Sequence, residues 1–556
     1  MLPLASISIS TPSRHPANQK GYNPATHSYK KTYVNPPSWT IQLGAFGVMT
    51  GEENEKPVIH PSVKSLQWTI IKEGVFEKKI SKRRSRVMLH TETNVPEQGE
   101  YDITLEVFLN NGSSEVAHRK YLLRDFLIVG IGDSFASGQG NPDVPAVPSP
   151  DQKVMCKATS IVMAMNRLNT LIKKFAAELN NNAKEIAKHL PFAGKILVAE
   201  INNVENVVGF VKNGISDLKN WTIEIGRKVI AKVGEGIEEL FSFFGIGDGA
   251  DSEDSPHPAA WQEPNAYRSY RSGQSLGARK AESGTASGAD LITFLPFGRT
   301  GSEIDDGLLG PRTVSQLLTN GNDSIDGWIK NMGQIEEARR TAGKRPIDAL
   351  IITIGVNDLG FSSLVTNSIL KASGEKRKNR IEGAKNKVEN IFPKQLNELR
   401  VAVEKELKPR EVFITEYPVG IFGEIAKGAK PCGILASIVP NPVTFEGLNL
   451  DKSDAIGLGE VGQKLNEKIR EKAREFGWHL IDGIENGFNG HGYCAGNSFF
   501  VSAEESCLNQ GDFEGMLHPN QKGHELTRDH ISEAIKNVLL TRRSGWLEPV
   551  LHMMMR

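Results

Sequence analysis

The chain has 556 residues, and its 66 basic and 66 acidic side chains leave no formal net charge. Neutrality argues against a dedicated nucleic-acid-binding protein, because phosphate binding needs a basic excess. No stretch reaches the roughly 18 consecutive apolar residues of a membrane span, which rules out an integral membrane protein. With 39% hydrophobic and 24% charged residues, the composition is that of a globular chain long enough for several domains.

The first 125 residues are predicted to form a tail followed by a β domain. Residues 1–38 are rich in Ser, Thr, Pro, Asn and Tyr without periodicity, which predicts a flexible tail. Apolar and polar residues then alternate from Tyr101 to Leu109, and a hairpin signal and a second strand follow. The run from Gly99 to Val107 resembles strands of polycystic-kidney-disease-like or immunoglobulin-like domains. Residues 39–125 are therefore predicted to form a small β-sandwich.

The remaining chain alternates short apolar runs with helical patterns, which predicts an α/β fold with a parallel sheet. Each run is short enough to be a buried strand. The runs are Phe126–Gly132, Asp290–Pro296, Ile347–Ile354, Val412–Tyr417 and Trp478–Ile481. In such a sheet, chemistry gathers at the carboxyl ends of the strands.

An insertion interrupts this alternation between the first two strands. Within residues 155–255, apolar side chains recur at spacings of three and four residues, which predicts amphipathic helices. Entering soon after the first strand, the insertion is a candidate lid over a pocket; helix-to-helix packing is the plainer interpretation of its apolar seams. Residues 546–556 are predicted to be a C-terminal tail.

Polar groups follow the first of these strands in the run Gly132-Asp133-Ser134. A serine at a strand-to-helix turn can expose its hydroxyl as a nucleophile, while its own N–H faces a developing oxyanion. The run is not a G-x-S-x-G elbow, because position 136 is Ala. It is not a dinucleotide fingerprint either, because Phe135 stands where a third glycine is needed.

Three later positions fit the same site. Gly301 lies in the turn after the second strand, and its N–H can approach a substrate. Asn357 follows the third strand, where its amide can donate to an oxyanion. His518 stands in a loop before the last helical pattern, where a neutral imidazole can accept the serine proton.

Together, Gly132-Asp133-Ser134, Gly301, Gly355-x-Asn357-Asp358 and His518-Pro519 resemble the four ordered blocks of the SGNH (GDSL-type) hydrolases. Longer pieces, including the GDSFASGQGNPD run and the LHPNQKGH run, are similar to a large bacterial branch of that family. The resemblance covers residues 126–154 and 256–545. It implies a flavodoxin-like three-layer domain, with the β-sandwich and the α-helical insertion as additions.

The resemblance also implies roles. Ser134 is the expected nucleophile, His518 the general base and then acid, and the oxyanion hole is formed by Ser134, Gly301 and Asn357. Members of the family need no metal and no organic cofactor. Where the family usually has Asp, three residues before the histidine, this chain has Gly515.

The third member of the triad is therefore open. Asp512 is favoured as the group that orients His518, and Glu514 and a backbone carbonyl are the alternatives.

The expected activity is that of a serine ester hydrolase of the esterase or lipase type, rising through about pH 6–8 as a histidine base loses its proton. The alternatives are a carbohydrate O-acetylesterase and a non-catalytic binding scaffold. The expected partner is a lipid or acylated-carbohydrate ester, with peripheral lipid or glycan contact.

The compartment stays open at this stage. The first residues lack the basic and long apolar segments of a signal peptide. Of the four cysteines, Cys494 and Cys507 are close enough in sequence to bridge, and free buried thiols are the alternative. A bridge and a sandwich both favour an extracytoplasmic setting.

Overall fold

The computed structural model describes residues 5–14, 21–46, 49–50, 58–60, 62–83, 90–149, 153, 156, 256–285, 287–311, 332–360, 374–429, 452–512 and 514–540. The predicted helical insertion lies outside the described residues except for Cys156, and the predicted C-terminal tail lies outside them entirely.

The secondary structure of the described residues alternates between strands and helices after an all-β beginning. The strands are β1 Ser6–Ser10, β2 Tyr22–Asn23, β3 Ser28–Tyr29, β4 Trp39–Phe46, β5 Met49–Thr50, β6 Val58–Ile59, β7 Val63–Lys72, β8 Phe76–Arg83, β9 His90–Val95, β10 Gly99–Leu109, β11 Ser114–Gly132, β12 Ser283–Thr285, β13 Gly288–Pro296, β14 Ala349–Thr353, β15 Glu411–Thr415 and β16 His479–Ile481.

The α-helices are α1 Lys31–Val34, α2 Ser134–Ser137, α3 Gly273–Ala281, α4 Gln334–Ala342, α5 Gly374–Asn390, α6 Phe392–Ala402, α7 Gly423–Ala426, α8 Lys452–Phe476, α9 Ile484–Gly487, α10 Ala503–Gln510 and α11 Gln521–Ile535. Short 3-10 turns lie at Pro24–Thr26 and Pro264–Ala266, and π-helical turns at Val403–Leu407 and Lys536–Leu540.

A nine-stranded sheet organises the fold. Its parallel part runs β13, β11, β14, β15, β16, which is the order 2-1-3-4-5 in chain sequence. This is a doubly wound order: from β11 the chain passes to β13 on one side of it and then to β14 on the other. The point between β11 and β14, where the strand order reverses, is where such sheets bind ligands. The strands predicted from the apolar runs are present. Four of them lie within a few residues of their predicted bounds, and the first, predicted at Phe126–Gly132, is the last part of the longer strand β11. Their side chains are almost all buried, as a sheet covered on both faces requires.

The long strand β11 belongs to both halves of the molecule. Its first part, Ser114–Leu123, pairs antiparallel with β10, and its last part pairs in parallel with β13 and β14. The burial pattern changes along it from alternating to continuous, because its first part has one open face and its last part has none. The domain boundary predicted between residues 125 and 126 thus falls inside one continuous strand.

The antiparallel part of the sheet, β11-β10-β7-β8, shares a core with a separate three-stranded sheet of β1, β4 and β9. The shared core is made of alternate residues from both sheets, including Ile41, Leu43, Trp68, Tyr101, Ile103 and Leu105.

The N-terminal segment differs from the flexible tail predicted for residues 1–38. Ile7 and Ile9 of β1 are buried in the core shared by the two sheets. Tyr22 and Tyr29 are buried instead in the core of the parallel part, where the Tyr29 hydroxyl donates to the Pro296 carbonyl at 3.0 Å. Ile7 and Ile9 alternate with serines over only the five residues of β1, and Tyr22 and Tyr29 stand among polar residues without periodicity, so the composition of the segment conceals these anchors.

Candidate active site

The turn after β11 positions Ser134. Asp133 caps α2, because its Oδ1 accepts a hydrogen bond from the Phe135 amide at 2.9 Å. Gly132 has a φ of 144°, and a β-carbon there would lie 2.0 Å from the Thr353 carbonyl oxygen. Only glycine permits this approach of β11 to β14. Ser134 therefore stands as the first residue of α2, at the carboxyl end of the parallel strands.

The imidazole of His518 reaches this serine from a loop near the end of the described chain. Its Nε2 lies 2.8 Å from Ser134 Oγ. Val501 holds the loop on both sides: the Leu517 N–H donates to the Val501 carbonyl at 3.0 Å, and the Val501 N–H donates to the His518 carbonyl at 2.8 Å. Leu517 has a φ of 68°. Such a conformation costs a non-glycine residue roughly 1–3 kcal/mol and persists only where its surroundings impose it.

The second ring nitrogen of His518 faces a backbone carbonyl. Its Nδ1 lies 3.2 Å from the Met516 carbonyl oxygen. The turn that brings this carbonyl under the ring is tight, since the His518 N–H donates to the Gly515 carbonyl at 3.1 Å. Of the alternatives that the sequence leaves open, the backbone carbonyl is the one the structure places at the ring.

Asp512 does not occupy the orienting position predicted for it. Its carboxylate accepts hydrogen bonds from the Tyr267 hydroxyl at 2.7 Å, from the Gln510 side-chain amide at 2.8 Å and from the Glu514 amide at 2.8 Å. Within the described residues, neither Asp512 nor the Glu514 side chain contacts His518. The reason is that these three donors already hold the carboxylate at the start of the loop, away from the ring.

Burial governs the electrostatics of His518. Removal from water lowers the pKa of the imidazole to about 4, and hydrogen bonding to the carbonyls of Met516 and Gly515 opposes this only in part. With a pKa of about 4, and with no carboxylate partner among the described residues, the ring is neutral at pH 7. A neutral ring that donates from Nδ1 presents the Nε2 lone pair to the serine hydroxyl.

The predicted oxyanion groups come from loops that are joined to the serine turn. The Arg299 N–H donates to the Gly132 carbonyl at 3.1 Å, which holds the loop of Gly301 beside the end of β11. Gly301 has a φ of 66°, and the side-chain amide of Asn357 donates to the Ser302 carbonyl at 3.0 Å. The second and third predicted blocks are therefore tied to each other and to the first.

Tyr417 is a site residue to which the sequence analysis gives no role. It follows β15, and its hydroxyl donates to Asp133 Oδ2. Both side chains are buried, and burial raises the pKa of Asp133 to about 7. The Tyr417 ring also packs edge-on against Phe135 at 5.3 Å, and Phe135 lies 5.8 Å from the His518 ring. Its position just beyond the fourth parallel strand is the signal that marks it.

The cysteines pair differently from the bridge considered between Cys494 and Cys507. Cys507 on α10 is bonded to Cys156, across 351 residues of sequence, and Cys494 is itself in a disulfide. The bridge therefore ties the start of the insertion to the helix that precedes the His518 loop.

The described residues contain neither a metal-binding cluster nor a membrane-spanning helix. No group of three or more His, Cys, Asp or Glu side chains there is arranged to hold a metal ion. No helix there has both the length and the apolar character needed to cross a bilayer.

Comparisons with family models and with curated proteins found no match for this chain. Solved structures do show likeness. An extracellular lipase from Streptomyces rimosus is 17% identical with a TM-score of 0.32, and the match covers 53% of this chain and 94% of the lipase. Phospholipase A1 from Streptomyces albidoflavus NA297 is 19% identical with a TM-score of 0.31, over 53% of this chain and 93% of that enzyme.

A family two carbohydrate esterase from Cellvibrio japonicus is 10% identical with a TM-score of 0.24, over 96% of this chain and 98% of the esterase. At these identities and TM-scores the likenesses assign neither family nor activity to this chain.

Proposed function

We propose that the protein is a serine carboxylic-ester hydrolase of the SGNH type. The 2.8 Å contact between Ser134 Oγ and His518 Nε2 carries this proposal. Ser134 Oγ attacks the ester carbonyl carbon while its proton passes to Nε2. The tetrahedral intermediate then collapses: the bond to the alcohol oxygen breaks, His518 returns the proton to that oxygen, and an acyl-enzyme remains. Water next gives a proton to His518 and attacks the acyl carbon. The second tetrahedral intermediate collapses as its bond to Ser134 Oγ breaks, His518 returns the proton to Oγ, and the acid is released.

Ser134 and His518 form the proposed catalytic dyad, and a backbone carbonyl orients the histidine. The Met516 carbonyl, 3.2 Å from Nδ1, accepts a hydrogen bond from the Nδ1–H and so fixes the tautomer that leaves Nε2 free to accept. A carbonyl dipole stabilises the imidazolium less than a carboxylate does. The low pKa of His518 is in line with that weaker partner.

The oxyanion hole proposed for this reaction is formed by the N–H groups of Ser134 and Gly301 and by the Asn357 side chain. The Ser134 N–H is at the first position of α2, where a helix leaves its amides without intrahelical acceptors. Removing one oxyanion donor typically costs about 3–4 kcal/mol of transition-state stabilisation, because the donors act in a site shielded from water.

We further propose the domain organisation around this site. Residues 39–125, with the first strand β1, form a β-sandwich, since two sheets share one core there. Residues 126–154 and 256–545 form the hydrolase domain, with the insertion of residues 155–255 between them. The Cys156–Cys507 disulfide supports an extracytoplasmic setting, because disulfides persist in oxidising compartments.

The test is the hydrolysis of p-nitrophenyl esters from acetyl to long acyl chains by the full chain, its Ser134→Ala variant and its Ser532→Ala variant. Ser532 is a matched control, since it is also buried but lies on α11. We expect Ser134→Ala to remove activity and Ser532→Ala to retain it. Preference for long chains indicates a lipid ester, and activity on acetyl esters alone indicates an acetylesterase.

A fluorophosphonate probe provides the second measurement, because it reacts with an activated serine without requiring the physiological ester. We expect labelling of the wild type at Ser134 and none of Ser134→Ala. A wild-type protein that neither hydrolyses any of the esters nor reacts with the probe is a binding scaffold, and the proposed function is then wrong.

A further inference from the structure

We propose that Gln139 is a positioning residue that sets the spacing between the nucleophile, the oxyanion loop and the histidine loop. This inference rests on the proposed function and deepens it. Gln139 lies in the GDSFASGQGNPD run, two residues beyond α2, and is 1% exposed. It touches the three parts of the site through three different polar groups.

The backbone of Gln139 contacts the nucleophile. Its N–H donates to the Ser134 carbonyl at 3.2 Å, beside the bond of 3.1 Å that the Gly138 N–H makes to the same oxygen. These bonds close the C-terminal end of the short helix α2, and Gly138 accordingly has a φ of 92°. The position of Gln139 relative to Ser134 is thus fixed by the main chain.

The side-chain amide of Gln139 joins the two other loops. Its Oε1 accepts from the Thr300 hydroxyl at 2.5 Å, and Thr300 directly precedes Gly301, a proposed oxyanion donor. Its Nε2 donates to the Glu514 carbonyl at 2.6 Å, in the turn that leads to His518. An amide group is planar and rigid, so bonding both of its ends fixes the distance between the oxyanion loop and the histidine loop.

The next residue shows how little space separates these parts. A β-carbon on Gly140 would lie 3.1 Å from the His518 β-carbon and 3.0 Å from the Pro519 carbonyl oxygen. The Gly140 N–H donates to the Gln510 side-chain oxygen at 3.2 Å, and the Gln510 amide holds Asp512. The segment after α2 therefore forms the surface on which the histidine loop rests.

Among the described residues, the Nδ1 of His518 hydrogen-bonds to a backbone carbonyl and to no side-chain carboxylate, so no such carboxylate corrects a shift of its loop. A displacement of the loop then moves Nε2 relative to Ser134 Oγ directly. A misplacement of about 1 Å costs as much as 100-fold in rate. This makes the bridging amide of Gln139 more consequential than a buried amide elsewhere in the protein.

The test replaces Gln139 with Met, which keeps the length of the side chain and removes both hydrogen bonds. The matched control is Gln262→Met: Gln262 is also buried, and its amide donates to the Tyr29 hydroxyl of the N-terminal segment at 2.8 Å. Active sites are titrated with the fluorophosphonate probe, so that kcat is expressed per reactive serine. We expect kcat per reactive site to fall about 10- to 100-fold in Gln139→Met, with little change in KM, and to stay near the wild-type value in the control.

Thr300 supplies a second arm of the test. Thr300→Val removes the hydroxyl that Gln139 accepts from, whereas Thr300→Ser retains it. We expect Thr300→Val to lower kcat, Thr300→Ser to preserve it, and the double variant Gln139→Met/Thr300→Val to be no slower than Gln139→Met alone, because both changes remove the same bond.

The possible failures are distinguishable. A merely structural role lowers the melting temperature and the fraction of reactive sites but leaves kcat per reactive site within about twofold of the wild type, and this result overturns the positioning role alone. Strictly multiplicative effects of the two substitutions overturn it as well. A wild type that the probe does not label overturns the proposed function and this inference together.

Discussion

The two halves of the candidate site are held in different ways. The Ser134 turn lies between the strand β11 and the helix α2, and hydrogen bonds from Arg299 to Gly132 and from Tyr417 to Asp133 add to that frame. The His518 loop lies between α10 and α11 and is fixed by hydrogen bonds with Val501, with Ser506 of α10 and with Gln139, which is far from it in the sequence. The nucleophile is thus positioned mainly by the strand and helix on either side of it, whereas its base depends on contacts made by a loop.

This difference also separates the electrostatics of the two halves. On the serine side, the buried carboxyl of Asp133 meets the Tyr417 hydroxyl, and its pKa rises to about 7. On the histidine side, the imidazole meets a backbone carbonyl, and its pKa falls to about 4. Asp133 is therefore uncharged at pH values between its ordinary pKa and about 7, where an ordinary aspartate is ionised. His518 is uncharged at pH values between about 4 and its ordinary pKa, where an ordinary histidine is protonated.

The largest expected effect concerns the acid limb of the activity profile. Hydrolysis needs neutral His518, so activity is lost as pH falls through the pKa of that ring, which burial lowers to about 4. We expect kcat/KM to stay nearly constant down to about pH 5. A base with an unperturbed pKa near 6.5 would be only about 3% neutral there, so the two cases differ roughly 30-fold at that pH.

The measurement is kcat/KM against pH on a p-nitrophenyl ester, with circular dichroism at each pH to separate titration from acid unfolding. An acid limb centred near 6.5 in folded protein would contradict the lowered pKa of His518 and restore the rise through pH 6–8 that the sequence predicts. A limb near 4 would show that burial and the carbonyl partner together set the pKa of His518.

The parts of the site that the sequence predicts well are those encoded by neighbouring residues. The run Gly132-Asp133-Ser134 by itself predicts a strand-to-helix turn that carries the serine, and the structure has that turn. The apolar runs likewise predict the parallel strands, because continuous burial leaves a continuous apolar pattern.

The parts that the sequence predicts badly depend on residues that meet only in three dimensions. The expected aspartate partner of His518 is replaced by a carbonyl, and every residue has a carbonyl, so no residue type marks it. Tyr417 and Gln139 are likewise ordinary polar residues until folding brings them to the site. The anchoring tyrosines of the N-terminal segment are missed for the same reason.

The second prediction tests the serine half through Tyr417→Phe, which removes the hydroxyl that donates to Asp133. We expect a loss of about 1–3 kcal/mol in the free energy of unfolding, because a buried carboxyl loses a partner. The loss is expected to be larger at pH 8 than at pH 5. The pKa of Asp133 is raised in the folded state, so the native protein retains a proton that the unfolded chain releases, and this group lowers stability as pH rises towards 8. The hydrogen bond from the Tyr417 hydroxyl stabilises the ionised carboxylate and opposes that fall in stability, so its removal costs more at pH 8.

Urea unfolding at the two pH values measures the effect, and Tyr101→Phe is the matched control. Tyr101 is buried and donates to the Glu97 carbonyl at 2.6 Å, so its variant also loses one hydrogen bond, but to an acceptor that does not titrate. Equal pH dependence in the two variants would show that Tyr417 does not act through Asp133.

The smallest expected effect is that of Asp512→Asn. An asparagine in the place of a triad aspartate costs about 10⁴ in kcat, because the imidazole is then held in the wrong tautomer. Here the Asp512 carboxylate is bonded to the hydroxyl of Tyr267 and to amides of Gln510 and Glu514, and not to His518. The Asn oxygen still accepts from two of these donors, so we expect kcat to stay within about threefold of the wild type and the acid limb to keep its midpoint.

Asp512→Leu separates a structural contribution from a catalytic one, since it removes all three hydrogen bonds at the start of the histidine loop. We expect it to lower the melting temperature clearly and to lower kcat more than Asp512→Asn does, because the loop then loses the anchor that precedes Glu514. If Asp512→Asn alone removed activity while the protein stayed folded, the carboxylate would have to reach the ring during turnover. The Asp512 carboxylate would then orient His518 only during turnover, by a movement that the structure does not show. The serine half would be preformed, whereas the histidine half would be completed when substrate binds.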